Sequence, residues 1–174
     1  MKKAFFVFFM LMLTGYEATA QYYYTDILNN RQAVAELAVL KEKKIKGIKI
    51  TSLEATGEET EGFVCQKKMN GDYTEVEIYT ETNESYPNTF ISYFNKVGQL
   101  QRTVDSSEAG ATTVDYLYDA SGKTVAVNSS RRFATDDDAG LVTEKHIYNY
   151  NTAGILQQML LVKNNRDTTA FIFE

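Results

Sequence analysis

His146 and Cys65 are the only histidine and the only cysteine of the 174-residue chain, so a zinc site or a cysteine-histidine nucleophile would have to be built around them. A zinc site needs three or four ligands, commonly clustered at short spacings, and His146 has no HxH or HxxxH companion. Cys65, His146 and several aspartates could be brought together in space, yet no serine stands in a nucleophile elbow. The run Asp136-Asp137-Asp138 before Ala139-Gly140 is acidic enough to attract calcium. It departs from the EF-hand loop, which sets its acids at alternate positions. Adjacent carboxylates repel, and a solvated loop tip is the expectation. The reading is therefore of no catalytic residue, no metal and no cofactor. Binding chemistry has a better candidate in the twelve tyrosines, which come with no tryptophan. Tyr116 and Tyr118, then Tyr148 and Tyr150, alternate along two strand-like segments, and His146 shares the second alternation. A tyrosine ring on an open sheet face can stack on a sugar or a partner. The competing reading is that tyrosine simply suits a half-buried strand.

The elements around these residues are mostly strands. After Gly47, β-branched and aromatic residues dominate, and YTEVEIYT alternates Val76 and Ile78 against polar positions, the period of a half-buried strand. One helix is expected earlier, from about Ile27 to Lys44. Asp26 serves as its N-cap, and Val34, Leu37, Ala38 and Lys41 form a stripe overlapped by Ala33, Leu37 and Leu40. KEKKIKGIK places positive charge at its C-terminus, and Gly47 stops it. The preceding QYYY, Gln21 to Tyr24, is left as either a first strand or a mobile tail.

Strand follows strand through a recurring turn. Phe94-Asn95 to Gly98, Tyr118-Asp119 to Gly122 and Tyr150-Asn151 to Gly154 each set an aromatic, an Asx residue and, three positions on, a glycine. The Asx side chain imitates backbone in a type I turn, and glycine takes the positive φ that closes a hairpin with a bulge. Between these lie polar connections, DSSEAG, RFATDDDAG and KNNRD, expected to be looser; NESYPN, with the lone Pro87, reads as a loop. Tight turns on one edge and polar loops on the other make an antiparallel meander. The expected fold is α+β: one N-terminal helix packed on an antiparallel meander sheet of about seven to ten strands.

Residues 1–20 read as a signal peptide. Lys2 and Lys3 precede the apolar run Ala4 to Leu13, and Ala18-Thr19-Ala20 offers a cleavage site before Gln21. The run is short for a bilayer span, with an uncleaved anchor as the competing reading. Residues 21–174 then form one exported domain: periplasmic, outer-membrane-associated or secreted. One cysteine allows no internal disulfide, and Cys65 is expected in the core. A net charge of −5 speaks against nucleic acid and against adhesion to anionic lipid. Phe171-Ile172-Phe173-Glu174 repeats the run into a turn, so either the chain is truncated at its C-terminus or it ends on an edge strand open to strand addition.

Tyr118-Asp119-Ala120-Ser121-Gly122-Lys123 resembles the YD repeat of Rhs-type bacterial secreted proteins. The copies at Asn95 and Asn151 replace the acid, and Gln99 and Ile155 replace the basic residue; the likeness covers about residues 89–174. The chain is also similar to small exported proteins of Gram-negative bacteria that join a signal, one helix and YD-like hairpins. The resemblance implies successive hairpins and carries over no catalytic residue. The functional expectation is a non-catalytic module binding a protein or glycan of the cell envelope through a Tyr-rich sheet face or the open edge. A hydrolase or carbohydrate-active enzyme with dispersed site residues is the alternative, and a fragment of a longer repeat protein is a third.

Overall fold

The computed structural model describes residues 18–134 and 140–173, with helix side chains from Thr25 onward. Residues 1–17, which hold most of the signal peptide expected over residues 1–20, lie outside the described residues, as do Asp136 to Asp138 and Glu174. Helix α1 (Ala18–Glu42) is followed by ten strands: β1 (Gly47–Ile50), β2 (Val64–Met69), β3 (Glu75–Thr82), β4 (Ser85–Phe94), β5 (Leu100–Ser107), β6 (Gly110–Tyr118), β7 (Thr124–Phe133), β8 (Val142–Tyr150), β9 (Leu156–Lys163) and β10 (Asp167–Ile172). They form one antiparallel sheet in sequence order, the meander the turn pattern predicts.

The helix departs from the expected bounds at both ends. Its backbone includes Gln21 to Tyr24, which are neither strand nor tail, and Asp26 lies well inside it rather than at a cap. At the other end Lys44, with φ of 54°, occupies the left-handed position that glycine usually fills. Ile45 N–H donates to Leu40 O at 2.9 Å and Lys44 N–H to Lys41 O at 3.2 Å, which closes the last turn. Ile45 then packs into the core, so Gly47 begins β1 instead of stopping the helix. The buried stripe is Ile27, Asn30, Leu37 and Leu40, flanked by half-buried Ala33 and Val34, whereas Ala38 and Lys41 face solvent.

That stripe lies across the strands on one face of the sheet. Ile27 joins Val127, Tyr148, Leu156, Met159 and Leu161; Leu37 and Leu40 join Met69, Val76, Phe94 and Leu100. Burying each such side chain contributes about 1.5–3 kcal/mol. Tyr116 packs against both clusters and links them.

The three expected turns share one hydrogen-bond scheme. Asn95 Oδ1 accepts from Val97 and Gln99 N–H at 3.1 and 2.9 Å, Asp119 Oδ1 from Ser121 and Lys123 N–H at 2.8 and 2.9 Å, and Asn151 Oδ1 from Ile155 N–H at 2.9 Å. Gly98, Gly122 and Gly154 have φ of 86°, 84° and 78°, where a Cβ would be strained. Each return strand then bulges by one residue, at Gln101, Val125 and Gln157. A fourth version went unread. Asn70 Oδ1 accepts from Thr74 N–H at 2.9 Å, and Tyr73 holds the left-handed position at φ 56°.

Two connections on the opposite edge are tighter than their polarity indicates. Ser107 pairs with Gly110 across two residues, and Lys163 with Asp167 across three. Asn164 and Asn165, at φ 48° and 56°, supply the left-handed turn there, which asparagine tolerates better than most residues. Pro87 also stands in a strand, β4, not a loop. It lies where pairing with β3 shifts register and β5 has already ended, so no ladder bond is lost to its missing N–H. Cys65 is half-buried rather than a core residue, its Sγ 3.8 Å from Thr80 Oγ1, because the helix does not reach that end of the strands.

Two stability measurements test this account by urea denaturation. Leu100→Ala, at a 1% exposed site, is expected to cost about 2–5 kcal/mol, whereas Val97→Ala, at an 81% exposed turn site, should stay within about 0.5 kcal/mol. Asn95→Ala deletes two side-chain acceptor bonds and should cost about 1–2 kcal/mol, whereas Asn95→Asp, which keeps both acceptors, should lose only a small part of that.

Candidate functional site

Antiparallel partners point to the same side of a sheet, so the register tells which residues share a face. Tyr116, Tyr118, Tyr148 and Tyr150 all lie on the face that α1 covers. Tyr118 OH donates to Leu100 O at 2.5 Å and accepts from Asn30 Nδ2 at 2.6 Å. Tyr150 OH donates to Thr124 O at 2.7 Å, and Tyr148 OH to Asp26 Oδ2 at 2.9 Å. The pre-turn tyrosine of one hairpin thus reaches the first residue of the preceding return strand. Burial, then the nearby Asp26 carboxylate, pushes the Tyr116 phenol up to about 12. The same causes raise Tyr148 further. These rings are turned toward the helix, and a ligand on the open face would not touch them.

His146 belongs to the same set. Its Nδ1 lies 2.5 Å from Asp26 Oδ2, and its ring meets Tyr148 edge-on at 6.5 Å between centroids. Asp26, from the third turn of the helix, is the partner that sequence reading assigned elsewhere. The arrangement ties helix to sheet. Among the described residues no group of three or more His, Cys, Asp or Glu is placed to hold a metal. The turn residues Asn95, Gly98, Asp119, Gly122, Asn151 and Gly154 lie along one edge as hairpin ends. Hydrogen bonds from the Ser121 hydroxyl and then the Lys123 amide hold the Asp119 carboxyl below its ordinary range, consistent with an ionised turn acceptor.

The opposite face carries the less expected arrangement. No described element packs on it. Across it runs one row in register: Glu75, Tyr93, Arg102, Asp115, Asn128 and Lys145, on β3 through β8. Arg102 Nε donates to Asp115 Oδ1 at 2.6 Å, with the two side chains 53% and 38% exposed. That bond is the chief reason the Arg102 guanidinium holds its proton more tightly than usual. Asn128 Oδ1 is closed off from solvent and has no hydrogen-bond partner. Two shallow grooves meet at Asp115. One of about 330 Å³ is lined by Asp115, Asn128, Thr143, Lys145 and Val162, and one of about 390 Å³ by Tyr93, Gln101, Arg102, Val104 and Asp115. Beside the row, Leu117, Ala126, Ile147 and Leu160 form an apolar strip in register.

Sequence reading missed this row because it followed aromatics, and the row is built mainly from charged and amide side chains. A signal was present: Arg102 and Asp115 are each three residues from a turn end, at Gln99 and Tyr118, so the hairpin pattern already sets them opposite one another.

The buried phenols give a pH test. An unfolded tyrosine ionises near pH 10, while folded Tyr116 holds its proton to about 12. The unfolded form therefore loses protons first, and stability contributed below pH ~10 is lost as pH rises through that window. A difference titration between the parent and Tyr116→Phe should show the Tyr116 phenolate appearing near pH 12, or earlier only where the circular dichroism of the sheet collapses. Ionisation of Tyr116 near pH 10 with the sheet intact would contradict its placement. Compared with known family models, curated proteins and solved structures, the chain has no match.

Proposed function

We propose that the protein is an exported, non-catalytic binding module of the cell envelope that takes its partner on the uncovered face of the sheet. The observation that carries this is the continuous row from Tyr93 to Lys145 on a face no described element covers. A sheet stabilised from one side needs no such row; an unsatisfied acceptor and an ion pair contribute little to the fold there. Export rests on Lys2, Lys3, the apolar run to Leu13 and Ala18-Thr19-Ala20. Among the described residues no helix is long and apolar enough to cross a membrane. The engagement of His146 with the helix supports a structural role for the one histidine.

The edge of β10 offers a second mode, strand addition. The sequence DTTAFI carries a charge only at its start and neither lysine nor proline, the usual guards of an edge. On the other edge β1 is four residues long and contains Lys49.

Fractionation of native cells with intact-mass analysis tests the proposal. The expected species begins at Gln21 and is found outside the cytoplasm, held on envelope material. The double reversal Arg102→Glu with Lys145→Glu should lower that retention at least tenfold while the fold persists. Thr169→Lys should lower it instead if the β10 edge is the contact. A cytoplasmic species of full length would defeat the export half. Loss of a measurable turnover in folded His146→Gln would turn the protein into an enzyme and defeat the other half.

A further inference from the structure

We infer that the row Tyr93, Arg102, Asp115, Asn128 and Lys145 is a binding site for a neutral polysaccharide lying across strands β4 to β8. The inference rests on the binding-module reading and names its ligand class. Adjacent strands stand about 4.8 Å apart, so five of them set out side chains over about 19 Å in a nearly straight line. That geometry suits an extended polymer rather than a compact small molecule. The chemistry alternates along the line: an aromatic ring, a guanidinium, a carboxylate, an amide and an ammonium. Each sugar hydroxyl both donates and accepts, and such a series satisfies both needs repeatedly. Vicinal hydroxyls could bridge the paired Arg102 and Asp115, donating to the carboxylate and accepting from the guanidinium.

Charge selects among polymers. Arg102 and Lys145 are matched along the row by Glu75 and Asp115, so neither a polyanion nor a polycation meets a complementary field. The chain's net −5 further disfavours polyanions. The flanks supply what the C–H faces of pyranose rings require. The Leu117, Ala126, Ile147 and Leu160 strip lies on one side, Ile91 and Val104 on the other, and the Tyr93 ring stands at one end. Asn128 completes the case. Its Oδ1 has no partner, and a donated hydroxyl hydrogen would supply the missing bond once the amide turned toward the groove.

The test is binding of the folded chain from Gln21 to an array of neutral and anionic oligosaccharides, followed by titration with the best neutral hit. Neutral glycans should bind, with affinity rising with chain length up to about the five-strand span. Asp115→Asn and Arg102→Gln should each weaken binding about tenfold, and Tyr93→Ala similarly. Asn128→Leu should also lose binding; because it removes an unpaired acceptor, its fold should be at least as stable as the parent's. Thr169→Ala, on the other face, should bind as the parent does. Binding confined to anionic glycans, no neutral hit, or parental affinity in folded Asp115→Asn and Asn128→Leu would overturn the inference. Light scattering that showed a dimer broken by the same variants would also overturn it, assigning the face to a second copy. If the glycan array is blank while Arg102→Glu with Lys145→Glu still releases the protein from envelope material, only the ligand class fails. If neither responds, the reading of the uncovered face as the binding surface fails with it.

Discussion

The structure depends on one helix laid across a sheet that never closes. A ten-stranded meander holds each strand to its neighbours, but nothing in its ladder bonds ties strands β2 and β3 to β8 and β9. Helix α1 does so. Ile27 is buried over one end and Leu37 and Leu40 over the other, while polar contacts fix the crossing point by point. Asp26 reaches β8, Asn30 reaches β6, and Glu36 forms an ion pair with Lys67 on β2. The apolar burial supplies the energy; the polar contacts choose the angle and register, because an amide or carboxylate half out of water must find its partner.

The hairpin ends do related work at shorter range. Turn, positive-φ residue and one-residue bulge recur together, and the bulge restores a twist that brings the pre-turn ring under the helix. Tyr118 and Tyr150 then bond to carbonyls at the base of the hairpin before. A tight turn thus becomes part of the core rather than a surface detail, and this explains why aromatic and Asx residues travel as a unit. Phe94 fills the same position without a hydroxyl, and its own backbone N–H donates to Thr74 O at 2.8 Å.

Covering one face with α1 leaves the other to solvent. The two faces differ accordingly: Tyr116, Tyr118, Tyr148 and Tyr150 gather with aliphatics under the helix, and a row of charged and amide side chains, begun by Tyr93 and flanked by apolar ones, runs across the open side. Tyrosines that looked available for ligands are occupied in holding the molecule together. The side chains free to act are ones that look like ordinary strand polarity when read along the chain.

The sequence by itself determined the fold class and the meander, because both rest on local physics: period-two alternation, Asx turn chemistry and glycine at positive φ. It also placed one helix near its true position, since Ala, Leu, Glu and Lys favour helix whatever lies around them. Its ends were misread where the deciding residues broke a local habit, Lys44 in a glycine's place and Asp26 used as a tertiary ligand instead of a cap. Only the tertiary structure decided which face of the sheet is covered. Alternation along a strand distinguishes two sides but not which of them the helix takes, and that choice depends on shape and burial summed over many strands at once. The fates of Tyr116, Tyr118, Tyr148 and His146, and the exposure of Arg102, Asp115, Asn128 and Lys145, all follow from it.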